Sequence, residues 1–599
     1  MMAGIESASL HYRAGRLAEA AAACRAILAV EPRHSDARNL LGAALFSSGN
    51  DGEAAEVLKD AIRFDPGHAA ALTNLGVVLQ HRREWAAAAR VLRVLAVCRP
   101  ESGWACDRLG SVLLEEGNLD GSLRFLQRAA RLDPRSGGHW LNLGTMRILC
   151  GDFAAALGDF RRAIGAGPGD VAAHVRLGQT LLRFGEVMRA ADSFRRALLL
   201  DPAASEASDG LARCRCYQAA AAVSRPNAPL PISGGGLVVR GAFNNTSGYG
   251  YACRRLILAL RAQDVPIQAI GLMGPESWKA GNLDRPVPAR AAVNLLLPLA
   301  VERVPGLATV THSMFEGTRI PPAWRRQSEH SDLIIVPCES SRVAWAAQGF
   351  PEDRLRVCPQ GVDPEESDGG ALTLVDPLGR LVSGYRHRFL NISDFTPRKN
   401  IDGLLRVWLR STTRVDDAVL ILKLGKGANP ALRKELGVLV QRSEAAVGRR
   451  LADAAPMVLV DQPLTDAGMT GLVRAANHYW SMSHGEGWDL PMTTAGALGL
   501  SLIAPRHSAY VDYLDDRVAH LVPATVGPAR LPYSEQPFAP FHGLDWWLPD
   551  EDAAASILTG IIRGDTRELP SARDHLLRHF TWRQAADRLL AILDEAGLR

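Results

Sequence analysis

The chain has 599 residues, of which 47% are apolar, 22% charged and 6% aromatic; that balance excludes global disorder, a collagen-like fibre and a small disulfide scaffold. With 68 Lys and Arg against 64 Asp and Glu, the formal net charge of +4 is too weak and too dispersed to argue for nucleic acid or an anionic membrane as partner. Length alone suggests about four domains.

The 9 cysteines are odd in number and irregular in spacing, so they read as thiols of a reducing compartment. Cys214 and Cys216, the only close pair, lack further Cys or His ligands nearby, and no metal is expected. Residues Met1 to Leu10 have no basic flank and no apolar h-region. The longest apolar stretch, Ala291 to Val301, is too short to span a bilayer and contains Asn294 and Pro298. A soluble, cytoplasmic protein without a transmembrane segment is expected.

In chain order, the first signal is a period. Pro32, Pro66, Pro100, Pro134, Pro168 and Pro202 are each separated by 34 residues. Gly42, Gly76, Gly110, Gly144 and Gly178 follow the same ruler, as do Ala20, Ala54, Ala88, Ser122, Ala156 and Ala190. This is the arithmetic of a helix hairpin: a small residue lets helix A approach helix B, turn residues such as Gly49-Asn50-Asp51 and Gly117-Asn118 separate the two, and a proline stops helix B. Large residues fall at Leu75, Leu109, Leu143 and Leu177 before the glycines, and at Leu58, Leu92, Leu126, Phe160 and Phe194 on helix B. The pattern resembles the tetratricopeptide repeat. Six units over about 1–204, with a capping helix at Glu206 to Ala222, predict an α-solenoid over 1–222 with a concave binding surface. Just before each Leu-Gly pair stand Asn74 and Asn142, alternating with Arg108 and Arg176. In the similar repeat array of O-linked N-acetylglucosamine transferases, asparagines here grip peptide backbone, and an amide that donates and accepts suits that task. The resemblance implies an acceptor groove for a polypeptide at these four residues; otherwise they are solvated polar positions on an exposed helix face.

Residues 223–236, rich in Ala, Pro, Ser and Gly, read as a linker. Leu237 to Phe243 is strand-like and leads into the turn Asn244 to Gly250, a helix to about Ala262 and a strand over Val265 to Ile270. That is a βαβ unit, the opening of a Rossmann-like domain. Leu307 to Thr311 is strand-like, Asp332 to Pro337 reads as a buried parallel strand, and Arg356 to Asp363 ends another. A second alternating set follows at Phe389 to Ile392, Val419 to Leu424, Met457 to Val460, His478 to Ser481 and Ser501 to Ala504. Two tandem α/β domains, 237–385 and 386–599, are expected to bind ligands between them.

Four segments, Ser247-Gly-Tyr-Gly250, the run from Phe315-Glu316 through Pro321-Pro-Ala-Trp324 and Asp332 to Pro337 to Gln360-Gly-Val-Asp363, Arg398-Lys-Asn400, and Gly485-Glu-Gly-Trp-Asp-Leu-Pro491, occur in this order. With Phe580-Thr-Trp-Arg583 before a terminal helix, they resemble the GT-B glycosyltransferases, in particular the retaining group 1 or family 4 enzymes that use nucleotide sugars. The resemblance spans about 237–597. It implies a metal-independent hexosyltransferase with no cofactor, whose nucleotide-diphosphate sugar is a substrate. The first domain would be the acceptor side and the second would bind the nucleotide sugar.

Loss of a diphosphate builds negative charge on the leaving oxygen, and Arg398 and Lys399, after a strand and before a helix, are expected to clamp it. Gly248, Gly250, Gly487, Leu490 and Thr494 complete the expected donor-binding set. Gly485 and Gly487 would let backbone approach the ligand, and a helix starting near Pro491 would aim its N-terminus at phosphate. The resemblance implies that Glu486 contacts the donor sugar's hydroxyls. Glu316 could accept a proton from an acceptor hydroxyl, and His312 could orient donor or acceptor. One departure stands out: the family has a second glutamate eight residues after the first, where this chain has Thr494, which leaves retention or inversion open. Asp550-Glu-Asp552 reads as a helix cap rather than a metal site.

The functional expectation is a glycosyltransferase whose repeats recruit a protein acceptor, for example a bacterial surface or flagellar protein. The alternatives are a polysaccharide or lipid-linked acceptor, or an inactive transferase-like scaffold for protein interaction, which Thr494 favours and Arg398, Lys399 and Glu486 oppose.

Overall fold

The computed structural model describes residues 2–224, 235–244, 247–272, 283–363, 370–425, 430–529, 541 and 543–599. Most of the expected linker at 223–236, and Asn245 and Thr246 of the Gly-rich turn, lie outside the described residues. Two compact units are present, one holding the repeats through Leu181 and from Arg189 to Gly210, and one holding Leu182–Met188 and the α/β region from Leu211.

In the first unit the 34-residue period is a steric one. Thirteen helices among the described residues run from Met2 to Val223 as six pairs and a last helix, Ser205–Val223. A Cβ on Gly42, Gly76, Gly110, Gly144 or Gly178 would come within 2.5–2.8 Å of Leu58, Leu92, Leu126, Phe160 or Phe194 respectively. Each glycine of helix A is thus the socket for the large side chain of helix B in its own pair. The periodic small residues Ala20, Ala54, Ala88, Ser122, Ala156 and Ala190 are all fully buried. Between the helices of each pair the chain turns through a left-handed residue, which is Gly15, Gly49, Gly117, Gly151 and Gly185 in five units and Arg83, at φ 58°, in the third. A side chain at that backbone conformation is strained where glycine is not.

In the second unit, β1 (Gly236–Gly241), β2 (Ile267–Gly271), β3 (Ala289–Leu295), β4 (Ala308–His312), β5 (Leu333–Val336) and β6 (Leu355–Val357) form one sheet in the order β2-β1-β3-β4-β5-β6. A second sheet, ordered β12-β11-β10-β7-β8-β9, contains β7 (His387–Ser393), β8 (Ala418–Leu424), β9 (Met457–Val460), β10 (His478–Trp480), β11 (Ser501–Pro505) and β12 (His520–Val522). Every pairing in both sheets is parallel. Parallel strands with helical crossovers are covered on both faces, which is why β8 and β5 are uninterrupted buried runs. These are two α/β lobes. A small antiparallel pair, β13 (Ala524–Pro528) and β14 (Asp545–Pro549), follows the second sheet.

The lobes share packing. The helix Trp582–Glu595, at the end of the chain, buries Trp582, Ala586, Leu589 and Leu593 in the core beneath β1, β3 and β5. Gly361 makes room for it: a Cβ there would lie 2.2 Å from the Trp582 nitrogen, and the Val362 N–H donates to the Phe580 carbonyl at 2.7 Å. Thr581 and Gln584 close a capping box at the start of that helix. Asp550 caps the helix Glu551–Arg563 through Asp552 and Ala553 N–H groups at 2.9 and 3.0 Å.

Candidate functional site

In an open α/β sheet, ligands bind outside the carboxyl ends of the strands where the winding direction reverses. In the second sheet the chain runs outward from β7 through β8 to β9, then returns to the other side of β7 to lay down β10, β11 and β12. The reversal therefore lies between β7 and β10. The two segments that leave those strands carry Arg398 and Lys399 on one side and Ser483 to Glu486 on the other.

Their backbones are tied together. Asn400, left-handed at φ 51°, caps the helix Ile401–Ser411 by accepting from Gly403 N–H at 3.0 Å, and its amide donates to the Met482 carbonyl at 3.0 Å. His484 N–H donates to the Arg398 carbonyl at 2.8 Å. Glu486 N–H donates to Ser508 Oγ at 3.1 Å, and Ser508 itself sits at φ 47°. The buried His507 donates through Nε2 to the Ser483 carbonyl (3.0 Å), which leaves Nδ1 to accept the Ser508 hydroxyl at 2.9 Å. A non-glycine residue held in this sparsely populated conformation beside a buried carboxylate marks a site whose surroundings over-determine it.

At the centre, Lys399 Nζ lies 2.6 Å from one carboxylate oxygen of Glu486 and Arg398 Nη1 lies 3.1 Å from the other. Arg398 also donates to the Gly485 carbonyl, and its Nη2 is 3.6 Å from Glu316 Oε1 in the first lobe. Glu486 is 4% exposed. Burial opposes its ionisation, but Arg398 and Lys399 outweigh that and hold the carboxyl well below its ordinary range. Glu316 goes the other way: burial raises it, partly offset by Arg398 and reinforced by Glu486. Glu486 thus stays ionised between the two cations, while burial makes Glu316, beside Arg398, the more basic carboxylate of the two.

The glycines have a different role from the one expected of them. A Cβ on Gly485 would lie 1.9 Å from the Glu316 carbonyl oxygen, and one on Gly487 would lie 2.6 Å from the Met314 side chain. Both admit the 314–316 segment of the first lobe, so the space beside them is occupied by protein. The helix near Pro491 also differs from expectation. Leu490–Ala497 is capped by Asp489, whose carboxylate accepts from Met492 N–H at 3.2 Å and from Tyr510 OH at 2.8 Å. A phosphate at that helix start would meet a carboxylate, and the cations of the cluster are Arg398 and Lys399. Burial raises the Asp489 carboxyl, with Lys399 opposing and Glu486 adding to the rise.

Leu490 packs against the cores of both lobes, and Thr494 is half-buried one turn further along the helix. Gly248 and Gly250 open the helix Gly248–Arg261, where Ser247 Oγ accepts from Gly250 N–H at 3.3 Å; a Cβ on Gly248 would lie 3.8 Å from Leu490. His312 ends β4 and lines a mainly apolar cavity with Tyr249, Cys253, Leu256 and Trp582. Tyr249 OH donates to the His312 carbonyl at 3.2 Å, and burial pushes the imidazole down to about 4, so the ring is neutral. Of the expected residues, the structure brings Arg398, Lys399, Glu486 and Glu316 into one cluster.

In the repeats, the four expected groove residues are engaged within the array. Asn74 Nδ2 donates to Asn39 Oδ1 at 2.8 Å, and Asn142 Nδ2 donates to both carboxylate oxygens of Asp107 at 3.0 and 3.1 Å. The Arg108 guanidinium lies over the Trp104 ring at 5.6 Å, and Arg176 donates to Gln179 Oε1 at 2.9 Å. The two asparagines are half-buried and the two arginines exposed.

Asp489, His507 and Ser508 join the site without having been anticipated. Asp489 carried a signal, an Asp directly before a Leu-Pro helix start. For His507 and Ser508 the sequence held none, because their role follows from a backbone conformation and from contacts more than twenty residues away.

Residues 5–69, 52–102, 108–171 and 150–209 match the tetratricopeptide repeat family model. The chain is similar to the tetratricopeptide-repeat protein YrrB, described as having an unusual peptide-binding site, at 20% identity over 31% of this chain and 97% of that one, with a TM-score of 0.29. It is also similar to PilF of Pseudomonas aeruginosa, at 18% identity over 35% and 96% of the two chains (TM-score 0.32), and to a thermophilic tetratricopeptide-repeat protein of Thermus thermophilus, at 19% identity over 30% and 98% (TM-score 0.25). No curated protein matches the chain. Among the described residues no helix is long and apolar enough to cross a membrane. The first third of the chain is a solenoid of tetratricopeptide repeats, a protein-interaction architecture, followed by two α/β lobes.

Proposed function

We propose that the α/β unit is a GT-B glycosyltransferase that moves a hexose from a nucleotide-diphosphate sugar to an acceptor recruited by the repeats, and that the acceptor is a polypeptide. The observation that carries this reading is the convergence of Arg398, Lys399 and Glu486 at the reversal point of the second sheet, with Glu316 presented to them by the first lobe. Arg398 offers a planar fork and Lys399 a point charge to a diphosphate, and both stabilise the charge that grows as the anomeric bond breaks. Glu486, freed as phosphate engages its two cations, accepts from sugar hydroxyls. Glu316, raised by burial, takes the proton of the acceptor hydroxyl. The repeat groove supplies proximity for a flexible chain.

The test is release of nucleoside diphosphate from a panel of nucleotide sugars. Lys399→Ala lowers release by roughly 100-fold or more, the scale of one lost transition-state donor. Undiminished release from that variant contradicts the clamp.

A further inference from the structure

The hairpin β13–β14 is unexplained by the fold of the two sheets, and its second strand runs beside the charged cluster. Asp545, its first residue, accepts at its carbonyl from both the N–H and the hydroxyl of Thr318 at 3.1 Å, two residues beyond Glu316. Further along, Trp547 N–H donates to the His484 carbonyl at 3.0 Å, and His484 Nδ1 donates to the Trp547 carbonyl at 2.7 Å. The strand is therefore bonded to residues on both sides of the Glu316–Arg398–Glu486 cluster.

Two indoles come with it. Trp546 is buried and stacks on His484, with centroids 4.5 Å apart and planes at 17°. Trp547 stacks on His507 with centroids 5.1 Å apart and planes at 5°. It is only half-buried, no other ring stacks on it among the described residues, and no hydrogen bond of its indole N–H occurs among them. His507 is locked by Ser483 and Ser508, which also hold the Glu486 backbone. A half-buried aromatic face thus rests on His507, whose partner Ser508 holds the Glu486 backbone, and its indole N–H has no partner among the described residues. Burial pushes His507 down to about 3 and His484 to about 4, so the stacks are uncharged and suit a neutral ring.

We propose that Trp547, backed by His507, is the aromatic wall against which the hexose of the donor stacks, its indole N–H donating to a ring hydroxyl. This rests on the donor-site reading above. A pyranose presents an apolar face of C–H groups that packs on an indole, and the neighbouring Glu486 takes the hydroxyls at its rim.

The experiment is calorimetric titration of the full chain with inorganic pyrophosphate, and with UDP, GDP and dTDP, each free and as its glucose or mannose conjugate. In the wild type at least one conjugate binds more tightly than its nucleotide. Trp547→Ala lowers that hexose gain by roughly 3- to 10-fold, Trp547→Phe keeps most of it, and pyrophosphate affinity stays within about twofold in both, which reports an intact fold. A hexose gain that survives Trp547→Ala overturns the wall alone. Failure of every conjugate to bind wild-type protein that holds pyrophosphate overturns the donor reading, and the wall with it.

Discussion

Glu486→Gln should weaken the protein and tighten its grip on an anion, two effects of opposite sign from one substitution. In the absence of ligand, Glu486 occupies both cations, Lys399 at 2.6 Å and Arg398 at 3.1 Å. In the proposed reaction a diphosphate competes with it. A carboxylate about 6 Å from an incoming phosphate charge opposes binding by roughly 2–3 kcal/mol at an effective dielectric of about 20. Salt and residual solvent remove part of that, so neutralising the carboxylate should tighten pyrophosphate about 10-fold, or about 1.4 kcal/mol. The cost appears in stability. Breaking a buried pair by deleting one partner costs about 3–5 kcal/mol, and because the glutamine carbonyl still accepts from Lys399, about 2–3 kcal/mol is expected here. Pyrophosphate at 100 times its Kd restores about 2.7 kcal/mol, nearly the whole loss. Titration calorimetry and urea unfolding with and without pyrophosphate read both effects. Pyrophosphate that binds the variant no more tightly than the wild type refutes the competition, and with it the assignment of these cations to phosphate.

Arg83→Gly relieves the one non-glycine left-handed turn between paired helices of the array and should stabilise it by about 1 kcal/mol; urea melts showing a loss of stability would contradict the strain. His478 stacks on Phe389 at 4.6 Å, its Nε2 lies 3.2 Å from His387 Nδ1, and burial, with His387, His520 and Arg388 adding to it, pushes it down to about 3. The unfolded chain, with an ordinary histidine near 6.5, binds the proton first, so stability is full above about pH 6.5 and falls on acidification toward 3 by about 1 kcal/mol per pH unit. His478→Gln should flatten that slope in denaturant melts between pH 7.5 and 5; an unchanged slope refutes the contribution.

The repeats were legible because each unit carries the same steric pair, a glycine such as Gly110 facing Leu126, so the period writes the packing directly. Most strands were legible as short runs rich in Val, Ile and Leu, such as Leu333–Val336 and Met457–Val460. β3 was not, because Ala289–Leu295 contains Arg290 and Asn294 and small alanines; the buried Asn294 amide reaches the Ala292 and Val310 carbonyls at 3.3 Å. β12 is only three residues long, and β14 pairs with a strand seventeen residues upstream. At the site, Arg398, Lys399 and Glu486 stood out as residue types, whereas their mutual pairing joins positions 87 residues apart. Gly485 read as room for a ligand and proved to be room for the Glu316 backbone. Contacts of that kind belong to the tertiary structure and leave no local pattern.

Intact mass spectrometry of polypeptides co-purified with the full chain, after incubation with a panel of nucleotide sugars, tests the central claim most directly. The account predicts an added hexose mass on a polypeptide with the wild-type chain, and none with Lys399→Ala or with residues 1–204 deleted. An acceptor mass that is unchanged with the wild type, or shifted equally without the repeats, contradicts it.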